Sequence, residues 1–314
     1  MAEPLTLPAS VRVREVGPRD GIQSEAAEVS TGDKIAFIDA LAGSGLRYIE
    51  AVSFVSPRAI PQMADAREVW LGIDRRPGVF YSALVPNRRG AETGAELGVD
   101  GLQVFIAASD SYNIRNVGKP VSESLADVAE VVKTGGDAGI PVEGTISTAF
   151  GCPYEGDVTP QRVGEVSRWL VERGIDVISY GDTTGMGTPR RVTDLIEHLA
   201  AALPEVTVNM HFHDTRGTGL ANVVTALHLG VTYFDSSVGG MGGSPYAQGA
   251  TGNIATEDLV HMLDDMDIGT GVDLERLLEA ARMAQGFIEG ELPSKVLKAG
   301  PRLAGTPTTP PAVH

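Results

Sequence analysis

Short runs rich in β-branched and apolar residues recur eight times along this chain, each bounded by Gly, Pro or Asp, with segments of helical period between them. No other feature limits the fold as severely. The runs are Val11 to Val16, Leu46 to Val52, Val79 to Val85, Gly101 to Ala107, Val142 to Ser147, Val177 to Tyr180, Val206 to Phe212 and Val231 to Ser236. Helical period marks Asp33 to Gly43, Glu92 to Leu97, Ser122 to Ala138, Thr159 to Arg173, Thr188 to Ala202 and Gly219 to Leu229. Two of these segments close on a glycine that leads directly into a strand, at Arg173-Gly174-Ile175 and Leu229-Gly230-Val231. Regular alternation without hairpin signals predicts a parallel sheet. Eight such repeats over about 230 residues predict a closed (β/α)8 TIM barrel, for which about 250 residues is typical. An open doubly wound sheet would place a glycine fingerprint after the first strand, where this chain has Val16-Gly17-Pro18-Arg19-Asp20-Gly21 instead. Additional C-terminal helices are expected around Thr256 to Met266 and Leu274 to Gly286. The domain plan is therefore a short extension over 1–10, a single barrel over 11–299, and a Pro- and Thr-rich tail over 300–314 that should be disordered.

Composition narrows the partners. Lys plus Arg is 25 against 41 for Asp plus Glu, a net charge of −16. Nucleic acid and anionic membrane both need a concentrated positive field, so neither is expected and small molecules are. The single cysteine, Cys152, rules out an intramolecular disulfide framework and any multi-thiolate metal site. A lone cysteine is more often a small buried hydrophobe than a nucleophile, and Cys152 is read that way. That cysteine usage makes a reducing, cytoplasmic setting the expectation, and no run approaches the roughly 20 apolar residues of a membrane span. Aromatics are only 5% of the chain, so the core should rest on Ala, Val, Leu and Ile.

In a barrel the C-terminal strand ends share one mouth, and polar residues there are the candidates for chemistry. Four ends are unusually polar: Arg19-Asp20, Glu50 to Ser53, Gly181-Asp182-Thr183 and His211-Phe212-His213-Asp214. His211 and His213 stand two apart at a strand end, so both imidazoles project from one face in chelating geometry. Asp20 follows the first strand, which closes beside the eighth and near the seventh. Its neighbour Arg19 supplies a fixed charge able to hold a carboxylate or an oxyanion. Mixed imidazole and oxygen donors suit Mg²⁺ or Mn²⁺, with Zn²⁺ also compatible. The Gly-rich stretch from Gly239 to Gly249 lacks a phosphate-loop ending and reads as a hinged flap near the mouth.

These motifs make the chain similar to the 3-hydroxy-3-methylglutaryl-CoA lyase family, metal-dependent (β/α)8 lyases marked by Arg-Asp-Gly and His-x-His. The resemblance runs from Val11 to Lys298. It rests on Glu15-Val16-Gly17-Pro18-Arg19-Asp20-Gly21, on Ser53-Phe54-Val55-Ser56-Pro57 with Pro61-Gln62-Met63, and on Gly151-Cys152-Pro153-Tyr154-Glu155-Gly156. It continues through Gly181-Asp182-Thr183, His211-Phe212-His213-Asp214-Thr215, Asp235-Ser236-Ser237-Val238 and Pro245-Tyr246-Ala247-Gln248-Gly249-Ala250 to Asn253. The resemblance implies that Asp20, His211, His213 and Asn253 hold a divalent cation. It also implies a catalytic set of Arg19, Asp20, Glu50, Asp182, His211 and Ser244, with Arg19, Gln23 and Thr183 contacting an acyl-CoA substrate. A homo-oligomer is compatible with it.

The implied reaction breaks the C2–C3 bond of a 3-hydroxyacyl thioester, giving acetyl-CoA and, from 3-hydroxy-3-methylglutaryl-CoA, acetoacetate. One position departs from the family pattern: Ser244 stands where the flap carries a cysteine associated with proton transfer. A serine hydroxyl is a far weaker acid than a thiol with a pKa near about 8.5. The leading substrate is 3-hydroxy-3-methylglutaryl-CoA, with citramalyl-CoA as the close alternative, while Ser244 itself means either that the proton comes from elsewhere or that the acyl group differs, the second being the reading preferred at that position. The further alternatives are a condensing 2-oxoacid synthase and a non-catalytic metal or acyl-CoA binding module.

Overall fold

The computed structural model describes residues 7–25, 28–243 and 252–302. Eight parallel strands close into a barrel in sequence order: β1 (Arg12–Glu15), β2 (Tyr48–Ser53), β3 (Phe80–Leu84), β4 (Gly101–Ala107), β5 (Val142–Ser147), β6 (Val177–Gly181), β7 (Thr207–His211) and β8 (Tyr233–Ser236). Each lies within a residue or two of its expected run. Closure is made by β1 against β8, with Arg12 opposite Tyr233 and Arg14 opposite Asp235.

The helices are α1 (Thr31–Gly43), α2 (Ala66–Gly72), α3 (Arg88–Leu97), α4 (Asp110–Val117), α5 (Val121–Ala138), α6 (Pro160–Val171), α7 (Pro189–Ala202) and α8 (Gly219–His228). Beyond β8 come α9 (Thr256–Asp265), α10 (Leu274–Phe287) and α11 (Lys295–Ala299). Thr159 and Thr188 cap α6 and α7, each followed by a proline pre-set for the first helical turn. The glycine after α8 works as its position suggests. Gly230 takes φ +85°, and the Val231 amide folds back to donate to Ala226 O at 3.0 Å. Three helices escaped the sequence reading. Of these, α2 and α11 are too short to show a period, and α4, DSYNIRNV, is polar on most of its surface.

Strand alternation divides the side chains into two systems. Outward positions such as Val13, Ile49, Val104, Ile146, Ile178, Met210 and Phe234 are buried between the strands and the helices. The expected aliphatic core is found there, but aromatics sit in it too: Phe37, Trp70, Tyr81, Tyr180, Phe212 and Phe234 are all fully buried. Inward positions carry Arg12, Arg14, Glu50, Ser82, Gln103, Glu143, Ser179, Asn209, His211 and Asp235. The lumen is therefore a packed polar column where branched apolar residues are usual. Behind the barrel, α10 lies on α1, with Phe37 and Phe287 edge to face at 5.5 Å. The tail beyond Arg302 lies outside the described residues.

Candidate metal and active site

Asp20 reaches the mouth on a single π-type turn, Gly17–Gly21, that follows β1 directly. Such turns are rare and frequent at functional sites. Pro18 occupies the first turn, where its missing N–H is not needed. The Asp20 amide donates to Val16 O at 2.7 Å. His211 is the last residue of β7 and His213 stands two further on, paired in a bridge with Asn253.

The fold brings the expected ligands together. Donor atoms of Asp20, His211 and His213 all lie within 4.8 Å of one another. The two imidazole centroids are 5.3 Å apart, and both rings are buried. His211 Nε2 faces Asp20 Oδ2 at 3.9 Å. Asn253 donates through Nδ2 to Asp20 Oδ2 at 2.8 Å and to Met241 O at 3.0 Å, while its buried Oδ1 has no protein partner. A buried amide oxygen without a donor costs free energy unless something electropositive meets it. The backbone at Gly242 has φ +106°, and a Cβ there would stand 2.5 Å from Asn253 Nδ2 and 3.2 Å from Asp20 Oδ2. Only glycine lets the chain pass this close to the cluster.

Electrostatics prepare these groups for a cation. Burial pushes the Asp20 carboxyl upward, but Arg19, the two histidines and Asn253 more than offset this and hold it below its ordinary range. Asp235 lies beneath His211, its Oδ2 at 3.1 Å from Nδ1. A proton on Nδ1 shared with that carboxylate leaves the Nε2 lone pair directed at the cluster. Burial lowers the pKa of His211, yet the bond and charge of Asp235, then Asp20, raise it above the ordinary value. Asp235 itself is held well below the carboxylate range: burial opposes ionisation, and Arg14 and His211 outweigh it.

Around the ligands, Arg19 donates through Nε to Glu50 Oε1 and through Nη1 to Asp20 Oδ1 at 2.6 Å. That leaves the second hydrogen on Nη1 and both on Nη2 for a substrate. A bulge between Glu50 and Val52 interrupts the β2–β3 register at this point, as bulges beside active sites often do. Asp182 is placed differently from the expectation. It follows β6 on the outward parity and is fully buried, with Oδ1 accepting the Gly187 amide at 2.9 Å. Burial, only partly opposed by the Gly187 and Met186 amides, lifts its pKa to about 7. Its Oδ1 shapes the loop after β6, while Oδ2 is buried without a protein partner and the carboxyl feels the charge of His211. Thr183 Oγ1 accepts the amide of Thr148, a buried residue at φ +56°. Gln23 follows the π turn and is half-buried. Cys152 is buried away from the cluster, accepting from Ser109 at 3.0 Å. Ser244 lies outside the described residues, as do 245–251.

Sequence reading gave Asp235 only as part of a family motif and missed Arg14, Ser179, Asn209 and Glu143. Asp235 accepts from Arg14 Nε and Nη2, Ser179 and Asn209 at 2.7 to 3.0 Å. Arg14 also donates to Glu143 at 2.6 Å. A signal existed in β1, where arginine occupies every second position of Arg12-Val13-Arg14, and in β8, where Asp235 shares the parity of Tyr233.

A parallel (β/α)8 barrel whose mouth gathers one carboxylate, two imidazoles and an orphan amide oxygen defines a barrel enzyme of the divalent-cation type. Comparison with known proteins is specific: the HMGL-like family model matches residues 10–284, and this chain belongs to that family. It is 48% identical over 291 residues to a hydroxymethylglutaryl-CoA lyase of Bacillus subtilis, covering 93% of this chain and 97% of the relative. It is 44% identical over 295 residues to a 3-hydroxy-3-isohexenylglutaryl-CoA/hydroxymethylglutaryl-CoA lyase of Pseudomonas aeruginosa, covering 94% and 98%. A solved HMG-CoA lyase from Acinetobacter baumannii, in complex with coenzyme A and 3-methylmalate, superposes with a TM-score of 0.91 at 38% identity, covering 96% of this chain and 98% of that one. Among the described residues, no helix is long and apolar enough to cross a membrane.

Proposed function

We propose that this protein is a divalent-cation-dependent lyase that cleaves 3-hydroxy-3-methylglutaryl-CoA to acetyl-CoA and acetoacetate. The observation that carries the reading is the Asp20, His211 and His213 cluster, with the unpartnered Oδ1 of Asn253 beside it. These four residues would hold the cation, and Mg²⁺ or Mn²⁺ suits their donor set. When bound, the cation acidifies the substrate hydroxyl and orients the oxygens around it.

The remaining chemistry belongs to the chain's own groups. The hydroxyl proton passes to the carboxylate of Asp20, which has a second oxygen to hold it, while His211 faces it across the cluster through Nε2. The C2–C3 bond then breaks, its electron pair staying on C2 as the thioester enolate while C3 becomes the ketone of acetoacetate. Arg19 stabilises the developing enolate oxygen, and Glu50 holds that guanidinium in place. Protonation at C2 completes acetyl-CoA. Gln23 and Thr183 are assigned to the substrate side of the mouth, Asp182 to the loop that frames it, and Ser244 to the flap.

A cytoplasmic compartment and a homo-oligomer complete the proposal. The test is a coupled assay for acetoacetate and for pyruvate, run with 3-hydroxy-3-methylglutaryl-CoA and with citramalyl-CoA. Acetoacetate release at the higher efficiency supports the reading. Pyruvate release alone would assign the site to citramalyl-CoA.

A further inference from the structure

Glu15 ends β1 with its side chain turned away from the lumen, completely buried, and no step above uses it. Its carboxylate nevertheless joins three chain segments beside the cluster, two of which lead to the ligands Asp20 and Asn253. Oε1 accepts the amide of Gly17 at 2.8 Å, at the start of the π turn that carries Arg19 and Asp20. The same oxygen accepts the amide of Val238 at 2.9 Å, where the chain leaves β8 for Met241 and Gly242. Oε2 accepts the hydroxyl of Thr256 at 2.6 Å, three residues beyond Asn253. The local backbone is shaped around this contact, since a Cβ at position 17 would lie 2.5 Å from Oε1.

Asp20 and Asn253 are 233 residues apart in sequence yet share a hydrogen bond of 2.8 Å. Their relative placement depends on how the π turn sits against the segment that leads into α9. Backbone bonds hold these segments on different strand ends: Val16 donates to Ser236 O at the end of β8, and Ile254 donates to Phe212 O just past β7. Glu15 adds a direct tie between the two, through one rigid group with no solvent access. A buried carboxylate is costly unless its oxygens are met by donors, and here the donors come from all three segments.

We propose that Glu15 is a positioning residue that registers Asp20 against Asn253 and thereby sets the affinity of the cluster for a divalent cation. The proposal rests on the reading that Asp20, His211, His213 and Asn253 form the cation site. Partners that orient metal ligands typically contribute about 10- to 100-fold to affinity.

The test is Mn²⁺ binding to the full-length, metal-stripped protein, followed by the electron paramagnetic resonance signal of free Mn²⁺, with circular dichroism to confirm folding. Glu15→Ala should weaken Mn²⁺ binding by about 10- to 100-fold. Glu15→Gln keeps an acceptor for Gly17 and Val238 and should bind within a few-fold of the parent, a rescue that simple loss of stability would not produce. Thr256→Val removes the Oε2 bond, along with the hydroxyl contact to Ser236 Oγ at 2.8 Å, at equal volume and should fall between them. A folded Glu15→Ala protein with parental Mn²⁺ affinity overturns the proposal. If Glu15→Ala does not fold, parental affinity in Thr256→Val overturns it instead. His213→Ala separates the two levels of inference: if it binds Mn²⁺ as the parent does, the cation site itself is misassigned.

Discussion

Asp235→Asn removes one negative charge from the middle of the barrel and changes nothing in side-chain volume. In the parent that carboxylate accepts five hydrogen bonds, from Arg14 Nε and Nη2, Ser179, Asn209 and His211. Asparagine offers one oxygen and one NH2 group, so at least one donor pair must face another donor. Arg14 keeps Glu143 but loses its bidentate partner in a fully buried setting. Breaking a buried pair in this way costs about 3–5 kcal/mol. For 314 residues the unfolding entropy at the midpoint is about 0.66 kcal/mol per kelvin, so Tm should fall by roughly 5–8 °C. The second consequence concerns His211, whose Nδ1–H would meet a neutral acceptor or a competing donor. Its Nε2 then becomes a poorer ligand, and Mn²⁺ affinity should drop by about 10- to 100-fold. Calorimetry in chelator gives the first number and Mn²⁺ titration the second. A variant that loses stability but binds Mn²⁺ as the parent does would show that Asp235 is structural only and that it does not orient His211.

Arg19→Lys keeps the charge but loses the fork that serves Glu50 and Asp20 together. Turnover should fall by about 10²–10³-fold with KM much less affected, and an equally active lysine variant would leave Arg19 as structural charge. Metal-free protein should lose stability as pH rises from about 5 to about 7.5. The sign follows from burial of Glu15, Asp182 and Glu257, each lifted to about 7, so the folded state holds more protons than the unfolded state between their ordinary values and that pH. His211, raised above its ordinary value, adds a loss of the same sign as pH climbs through its folded pKa. Glu257→Gln should flatten the profile by up to about 3 kcal/mol, and a Tm that rises across this range would refute the assignment. Ser244→Cys supplies a thiol where the family pattern has one and should increase cleavage of 3-hydroxy-3-methylglutaryl-CoA, with Ser244→Ala near neutral. No gain from cysteine would place the proton source elsewhere.

The barrel was legible because its signal is periodic. Eight β-branched runs at regular spacing leave few topologies, and glycines such as Gly230 mark where helix gives way to strand. The histidine pair was legible for a similar reason, since two positions along a strand return a side chain to the same face. Asn253 could be placed only through resemblance, because nothing local announces that residue 253 will lie against residue 20. The lumen network was harder. Asp235, Arg14 and Glu143 occur in strands that otherwise read as apolar, and their pairing exists only after the sheet closes. Asp182 shows a different limit: a strand-end position marks the residue, but only the structure gives the use of its carboxyl, with Oδ1 on the Gly187 turn and Oδ2 buried without a protein partner. Short or polar helices such as α2 and α4 left no hydrophobic period to read.

The central claim is that the Asp20, His211, His213 and Asn253 cluster holds the cation on which cleavage of 3-hydroxy-3-methylglutaryl-CoA depends. Metal-stripped protein, given this substrate and titrated with Mg²⁺ or Mn²⁺, should form acetoacetate and acetyl-CoA in equal amounts. Turnover should be absent in chelator and restored by the cation. Full turnover in chelator, or no acetoacetate at saturating cation, would contradict the account.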